Sequence, residues 1–460
     1  MAALPPSLPS TFKAISCAAP HAPWDVVTLP LRAPAPTEVL VRVHASGICN
    51  SDHFVKEGTW PGLAYPRVPG HEVVGRIAAV GDALVNARGA GDRFAIGALV
   101  GVGWNGGYCG RCGPCRRGEF WTCDVADVTG FTFDGGHAEY VYVPETALVS
   151  IPEEALEHAS YAELAPLFCA GATVFDAIRT SNWVPGDLCV VQGIGGLGHL
   201  AVQYAAKMGL KVRASSPSPP APPNATLPFP SAPTNTSTPP PPPSPSSSSS
   251  TSPADALVAH LQSRGGARLI VCTAPYADQI SALLPAVAKN GTITLVSAAT
   301  DAPVRVQNLL LNMHRATLRG WCCGAAADME QCVRFSTVAG VKSVVQEYSL
   351  EQYAAAYDGV IANRARFRNV IVFPLLYSAV SGDNDPSQRS TTPDAPLSAP
   401  RRAAPSARAF THPIGTAISQ AARFSILDSL SGDPPAVAGW WRRRRSSLYR
   451  TVHDRPADLR

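Results

Sequence analysis

Four cysteines, Cys109, Cys112, Cys115 and Cys123, stand in the spacing C-x2-C-x2-C-x7-C within a Gly/Arg-rich stretch, 106–124. Thiolates packed this closely in a loop with little apolar content form the donor set that tetrahedral zinc takes in a closed structural site. An iron–sulfur cluster or a redox pair uses the same residue type, but no companion electron-transfer feature accompanies the run. A second pattern, Gly193-Ile194-Gly195-Gly196-Leu197-Gly198, reads G-x-G-x-x-G. Glycines there let a backbone approach a pyrophosphate and a helix pack on its strand, while free N–H groups at the helix start face the phosphates. On its own the run also reads as an ordinary glycine turn, so its flanks decide. Cys49, His71 and Cys169 are spread over the chain, and taken singly they read as buried cysteines and a hydrogen-bonded histidine.

The flanks of the glycines supply what a dinucleotide site needs. Leu188-Cys189-Val190-Val191 is a short apolar run suited to a buried parallel strand. Leu200, Ala201, Tyr204, Ala205 and Met208 recur at helical spacing until Gly209, and Lys211-Val212-Arg213-Ala214 begins a second strand. Earlier, Val39, Val41 and Val43 alternate with Leu40, Arg42 and His44 as in a strand with one more buried face, which runs into the polar segment Gly47-Ile48-Cys49-Asn50-Ser51-Asp52-His53. Gly70-His71-Glu72 introduces another strand at Val73–Ile77, and Phe168–Thr173 introduces a helix.

With 460 residues, the chain has room for two domains and a large core. Its net charge of +4 is concentrated at one end: residues 375–460 carry 12 Arg and 7 Asp with no Lys or Glu, so 12 − 7 = +5 there and 4 − 5 = −1 elsewhere. A body without a basic face gives no reason to invoke nucleic acid. No run of 18 uncharged apolar residues suggests a membrane span, and residues 1–11 lack the charged and apolar regions of a signal peptide, so the default expectation is cytosolic. Twelve cysteines in such a chain argue for metal ligands more than for disulfides.

Together the four-cysteine lobe, Gly-Ile-Cys-Asn-Ser-Asp at 47–52, Pro69-Gly70-His71-Glu72, Cys169 and the later glycine turn resemble the zinc-dependent alcohol dehydrogenases of the medium-chain dehydrogenase/reductase superfamily, closest to the tetrameric microbial and fungal type. The similarity spans about 14–373 and implies an α/β chain: a GroES-like β-barrel-type catalytic domain at 12–162, a Rossmann doubly wound parallel sheet at 163–310, and a return to the catalytic domain at 311–373. It implies a catalytic zinc on Cys49, His71 and Cys169 with one position open, and a structural zinc on Cys109, Cys112, Cys115 and Cys123, two per subunit. Asp52 matches the carboxylate that orients the ligand histidine, Glu72 the nearby acid, and Ser51 the hydroxyl that takes the alcohol's proton. The family's relay histidine falls at Phe54, with His53 one residue earlier as its candidate substitute. Trp60 and Trp104 fall where substrate-pocket walls stand, although plain packing would also place them. Thr173 falls where the family meets the nicotinamide, and Arg368 where it meets the cofactor's phosphates. The implied activity is hydride transfer between a primary or secondary alcohol and NAD(P), in a dimer or tetramer. A cinnamyl-alcohol-type or polyol dehydrogenase of the same fold is the alternative enzyme.

Two stretches depart from the family pattern. Residues 217–253 hold 15 Pro and 10 Ser and no charge, a composition expected to form a flexible, partly polyproline II loop where a third strand and its helix should stand. In the sheet order 3-2-1-4-5-6 that strand is an edge, so its loss spares the centre of the sheet. The acidic residue that binds the ribose is replaced by Ser215 or Ser216, which leaves NAD and NADP undistinguished. Such a segment inside a compact domain also fits a faulty gene model or a catalytically impaired zinc-binding relative. The tail at 374–460 reads as a disordered basic extension, and Arg442-Arg443-Arg444-Arg445 would suit RNA, acidic lipid or an import receptor if it were not simply solvated.

Overall fold

The computed structural model describes residues 7–85, 94–215 and 253–374. In chain order the elements are β1 (Thr11–Cys17), β2 (Trp24–Pro30), β3 (Glu38–Gly47), α1 (Asp52–Glu57), β4 (Val73–Val80), β5 (Leu99–Val102), β6 (Tyr140–Pro144), β7 (Leu148–Ser150) and α2 (Ala170–Arg179). Then follow β8 (Leu188–Gln192), α3 (Gly198–Lys207), β9 (Lys211–Ser215), α4 (Pro253–Ser263), β10 (Ala267–Cys272), α5 (Ala277–Leu283) and β11 (Val287–Leu295). The described chain closes with α6 (Asn308–His314), β12 (Thr317–Gly320), α7 (Ala326–Ala339), β13 (Val345–Tyr348), α8 (Tyr353–Ile361) and β14 (Arg368–Val372). No single described helix is long and apolar enough to cross a membrane.

Strands β8 to β12 form one parallel sheet in the order β12-β11-β10-β8-β9. Its two central strands carry unbroken apolar runs, Leu188–Val191 in β8 and Leu269–Cys272 in β10, because helices cover both faces. Cys189, Val191, Leu269 and Val271 join the core shared with α2 and α3, while Val190, Ile270 and Cys272 join the opposite core with Leu261 of α4 and Ile280 of α5. This is the doubly wound layout expected from the residues around the glycine turn. Among the described residues β9 ends the sheet. The Pro/Ser stretch save Pro253, and the tail save Pro374, lie outside the described residues. The sheet also runs past the boundary drawn at 310: β12 pairs with β11 from Thr292↔Thr317 to Leu295↔Gly320, so these residues continue the cofactor sheet before the chain returns.

The remaining strands build the second layer, with β1 and β2 as a separate antiparallel pair and seven strands ordered β13-β14-β3-β4-β5-β7 plus β6 on β3. One edge of β3 pairs with β4 throughout, and the other is shared by β6 along Glu38–Arg42 and β14 along Ala45–Gly47. That sharing matters for the site, because it brings β14 against the end of β3 where the polar segment begins.

The two layers are joined by side-chain contacts as well as by the chain. Tyr204 of α3 is fully buried, its hydroxyl 2.7 Å from Ser336 Oγ and 3.1 Å from Cys332 Sγ of α7. A phenyl ring in its place would leave those groups one partner short. Tyr204→Phe is expected to lower stability by about 1 kcal/mol, read from the urea midpoint; an unchanged midpoint would show that the hydroxyl contributes nothing.

Candidate metal centres and cofactor site

Register assembles the first cluster. Ser46 of β3 pairs with Val73 of β4, so the residues just past one strand and just before the other are neighbours, and the ladder is extended by the Gly47 N–H bond to the Glu72 carbonyl at 2.9 Å. Cys49 and His71 meet there. Cys169 arrives from the turn before α2, where the Phe168 ring fills the space left by Gly101 of β5: a Cβ at Gly101 would lie 2.1 Å from that ring. One donor atom each from Cys49, His71, Glu72 and Cys169 lies within 4.8 Å of all the others.

This site is charged and largely buried. His71 and Glu72 are fully buried, and neither His71 ring nitrogen nor Glu72 Oε2 makes a hydrogen bond. His71 Nδ1 faces Asp52 Oδ1 at 3.5 Å, which leaves Nε2 for the two thiols. A hydrogen bond from Cys169 at 3.9 Å holds the Cys49 thiol well below its usual range, and the same contact, with burial, drives Cys169 up. Burial pushes the His71 imidazole down, but the Asp52 and Cys49 contacts outweigh it and lift it to about 10. Burial raises Glu72 to about 7 against the pull of Arg368. Two sulfurs, an imidazole nitrogen without a partner and a carboxylate, buried except for the half-buried Cys169, fit a zinc ion, which would displace the protons on His71 and Cys169.

The other implied residues fall around it. Ser51 Oγ lies 3.6 Å from Cys49 Sγ. Trp104 stacks edge-on to His71 at 4.9 Å and to Trp60 at 5.4 Å, with Phe131 at 4.8 Å from Trp104 and 5.1 Å from Trp60. Phe54 packs 6.0 Å from Trp60. His53 Nδ1 lies 2.7 Å from the Tyr357 hydroxyl of α8 and 3.9 Å from Glu57, so it joins a half-exposed cluster.

The second cluster is the four-cysteine lobe. Sγ atoms of Cys109, Cys112, Cys115 and Cys123 all lie within 4.8 Å of one another. Backbone N–H groups at Arg111 and Cys112 lower the Cys109 thiol to about 6, while burial lifts Cys115 to about 12. Four convergent sulfurs, one already favouring thiolate, fit a closed zinc site.

The glycine turn lies at the end of β8. The Gly193 N–H bonds to the Ser215 carbonyl at 2.7 Å, and Thr273 Oγ1 donates to the Gln192 and Gly193 carbonyls at 2.9 and 2.8 Å, so β9 and β10 pin the turn from both sides. Ile194, Gly195, Gly196 and Leu197 make no backbone N–H bond among the described residues. A Cβ at Gly195 would meet nothing within 4 Å, whereas one at Gly198 would lie 1.9 Å from the Gly193 carbonyl oxygen. Open space over free amides at a helix start fits a pyrophosphate. Thr173 is buried nearby in sequence on α2, its Oγ1 accepting the Cys323 N–H at 3.0 Å. Arg368 reaches both regions: it pairs with Glu72, and a Cβ at Gly196 would lie 2.5 Å from its Nη1.

Residues 35–153 match the alcohol dehydrogenase GroES-like domain. Alcohol dehydrogenase patD of Penicillium expansum is 35% identical over 363 residues, which cover 79% of this chain and 98% of that one. The chain belongs to the alcohol dehydrogenases of the medium-chain dehydrogenase/reductase superfamily. Two solved structures share the fold: CAD from Helicobacter pylori, complexed with NADP(H), at TM-score 0.61 and 22% identity over 79% of this chain and 98% of that one, and a cobalt- and zinc-bound alcohol dehydrogenase from Pyrobaculum aerophilum at 0.62 and 21% over 79% and 99%. The activity of this alcohol dehydrogenase is oxidoreduction of an alcohol.

Reasoning from sequence passed over three residues beside the metal cluster or the glycine turn of this alcohol dehydrogenase, and Tyr357, which draws His53 into the half-exposed cluster. Phe131 and His137 come from the loop between β5 and β6, Thr273 from the end of β10, and Tyr357 from α8. None has a spacing signal, since each reaches its place through a crossover.

The two glycines separate cradle from scaffold. Gly198→Ala is expected to destabilise the alcohol dehydrogenase by about 2 kcal/mol or more through overpacking. Gly195→Ala should leave the melting temperature unchanged and weaken NADH or NADPH binding about tenfold by filling the cradle. Equal effects of the two variants on stability would contradict this geometry.

Proposed function

We propose that this chain is a zinc-dependent dehydrogenase that moves a hydride between a primary or secondary alcohol and NAD(P), with zinc held by Cys49, His71 and Cys169 and a second ion by the four-cysteine lobe. The observation that carries the reading is the fully buried His71, whose ring nitrogens have no hydrogen bond, beside two cysteine sulfurs 3.9 Å apart. Zinc bound there supplies Lewis acidity that lowers the pKa of an alcohol. Ser51 is set to accept the alcohol's proton, and Asp52 holds the His71 ring. Trp60, Trp104 and Phe131 exclude water and favour an apolar substrate. The free amides of the glycine turn and the Arg368 charge hold the cofactor's phosphates, and Thr173 backs the nicotinamide side. His53, turned to Tyr357, is left out of the relay. Ser215 offers the ribose no carboxylate, so both NAD and NADP are accepted.

The same reading includes a cytoplasmic location and a homo-oligomer, a dimer or tetramer. Leu309 and Met313 on α6 are 72% and 70% exposed, apolar side chains suited to contact with a second copy.

Titration of the zinc-loaded full chain with NADH and with NADPH, followed by nicotinamide fluorescence, is expected to show binding of both. Failure of either to bind would overturn the cofactor assignment. Ser51→Ala should lower kcat about 100-fold or more with both zinc ions retained, and an active alanine variant would remove Ser51 from the mechanism.

A further inference from the structure

One buried histidine has no part in the reading above. His137 stands in the Gly135-Gly136-His137 segment before β6, fully buried and held at both ring nitrogens: Nδ1 is 2.8 Å from Ser46 Oγ, and Nε2 is 3.2 Å from Asp52 Oδ2. The same Asp52 oxygen accepts the Cys49 N–H at 2.9 Å, and the other, Oδ1, faces His71 Nδ1. Ser46, His137, Asp52 and His71 are each removed from water, so every one of these contacts lacks a solvent substitute.

His137 also lies on the backbone that carries His71. Its N–H bonds to the Pro69 carbonyl at 3.0 Å, and the Gly136 N–H bonds to the Gly70 carbonyl at 2.9 Å. Gly70 has φ +107°, and a Cβ there would come within 2.7 Å of both the His137 amide nitrogen and Nδ1. The ring is closed in on its remaining side by Tyr353, with centroids 4.9 Å apart.

The arrangement has a directional consequence. A carboxylate accepts hydrogen bonds only, so His137 presents Nε2–H to Asp52 and the Ser46 hydroxyl occupies Nδ1. With the His137 N–H and the Cys49 amide both on Oδ2, the plane of the carboxylate is fixed and Oδ1 is left for His71. Remove the His137 donor and Oδ2 keeps a single amide, so the carboxylate no longer holds one orientation. We infer that His137 is a positioning residue for the metal ligand His71, acting through Asp52; this rests on the proposed metal reading of Cys49, His71 and Cys169.

The test uses the full zinc-loaded chain, with zinc release followed during competition by a chelator. The four-cysteine lobe serves as the internal reference. His137→Phe fills the ring's space without a donor and is expected to weaken one of the two zinc ions about tenfold or more, leaving the other unchanged. His137→Gln returns an N–H donor to Asp52 and should recover most of that loss. Ser46→Ala, a smaller change suited to the case where His137→Phe does not fold, should weaken the same ion severalfold.

A wild-type chain with only one zinc would overturn the metal reading and the inference together. Two zinc ions in the wild type, with both unaffected in His137→Phe, or in Ser46→Ala where that is the variant that folds, would overturn the inference alone. A glutamine variant as weak as the phenylalanine one would do the same, since packing rather than the hydrogen bond would then be responsible.

Discussion

A guanidinium and a carboxylate, both taken out of water, hold the two halves of this enzyme in register. Arg368 of β14 pairs with Glu72, and both side chains are nearly or fully buried. Desolvating two such charges is costly, and removing one partner of a buried pair typically costs about 3–5 kcal/mol, so neither can be lost without the other. The pair is placed by backbone alone: Gly47 leaves room for the carboxylate, since a Cβ there would lie 2.1 Å from Glu72 Oε2, and β14 lies against the end of β3. One end of the pair is in the Cys49–His71–Cys169 cluster and the other touches Gly196. A shift of the glycine turn is therefore a shift at the proposed metal site.

Neighbouring contacts stiffen that link. His199, the second residue of α3, lies 3.1 Å through Nδ1 from the Gly195 carbonyl and accepts the Val344 N–H at Nε2, 3.3 Å away, while its ring stacks on Phe367 at 4.8 Å. Burial lowers its pKa to about 4, so it serves as a neutral donor and acceptor at any ordinary pH. The strand that ends the second layer thus grips the cofactor turn at Gly195 through His199 and at Gly196 through Arg368. Hydride transfer needs the cofactor and the alcohol at a fixed separation, and these contacts would help to fix it.

What could be read from the residues alone divides by distance along the chain. The four-cysteine lobe and the glycine turn are local, and their spacing carried the chemistry with it. Cys49, His71 and Cys169 are 22 and 98 positions apart; only the pairing of Ser46 with Val73 and the seating of Phe168 on Gly101 bring them together, so family resemblance rather than spacing pointed to them. His137 and Phe131 were invisible because a loop between two strands carries no period. The parallel strands were legible from unbroken apolar runs, whereas β12, with exposed and half-buried residues at a sheet edge, carries no such run and moved the boundary past 310. The resemblance implies Arg368 as a phosphate ligand; its buried partnership with Glu72 depends on β14 pairing with β3 and has no trace in composition.

The central claim is that one buried donor set beside the glycine turn holds a metal ion while the remote lobe holds another. Anomalous diffraction at the zinc edge from crystals of the full chain tests it directly. Two peaks are predicted, one bonded to Cys49 Sγ, His71 Nε2 and Cys169 Sγ at about 2.0–2.3 Å and one among the four cysteines. A single peak in the lobe, with no metal at His71 Nε2, would contradict the account.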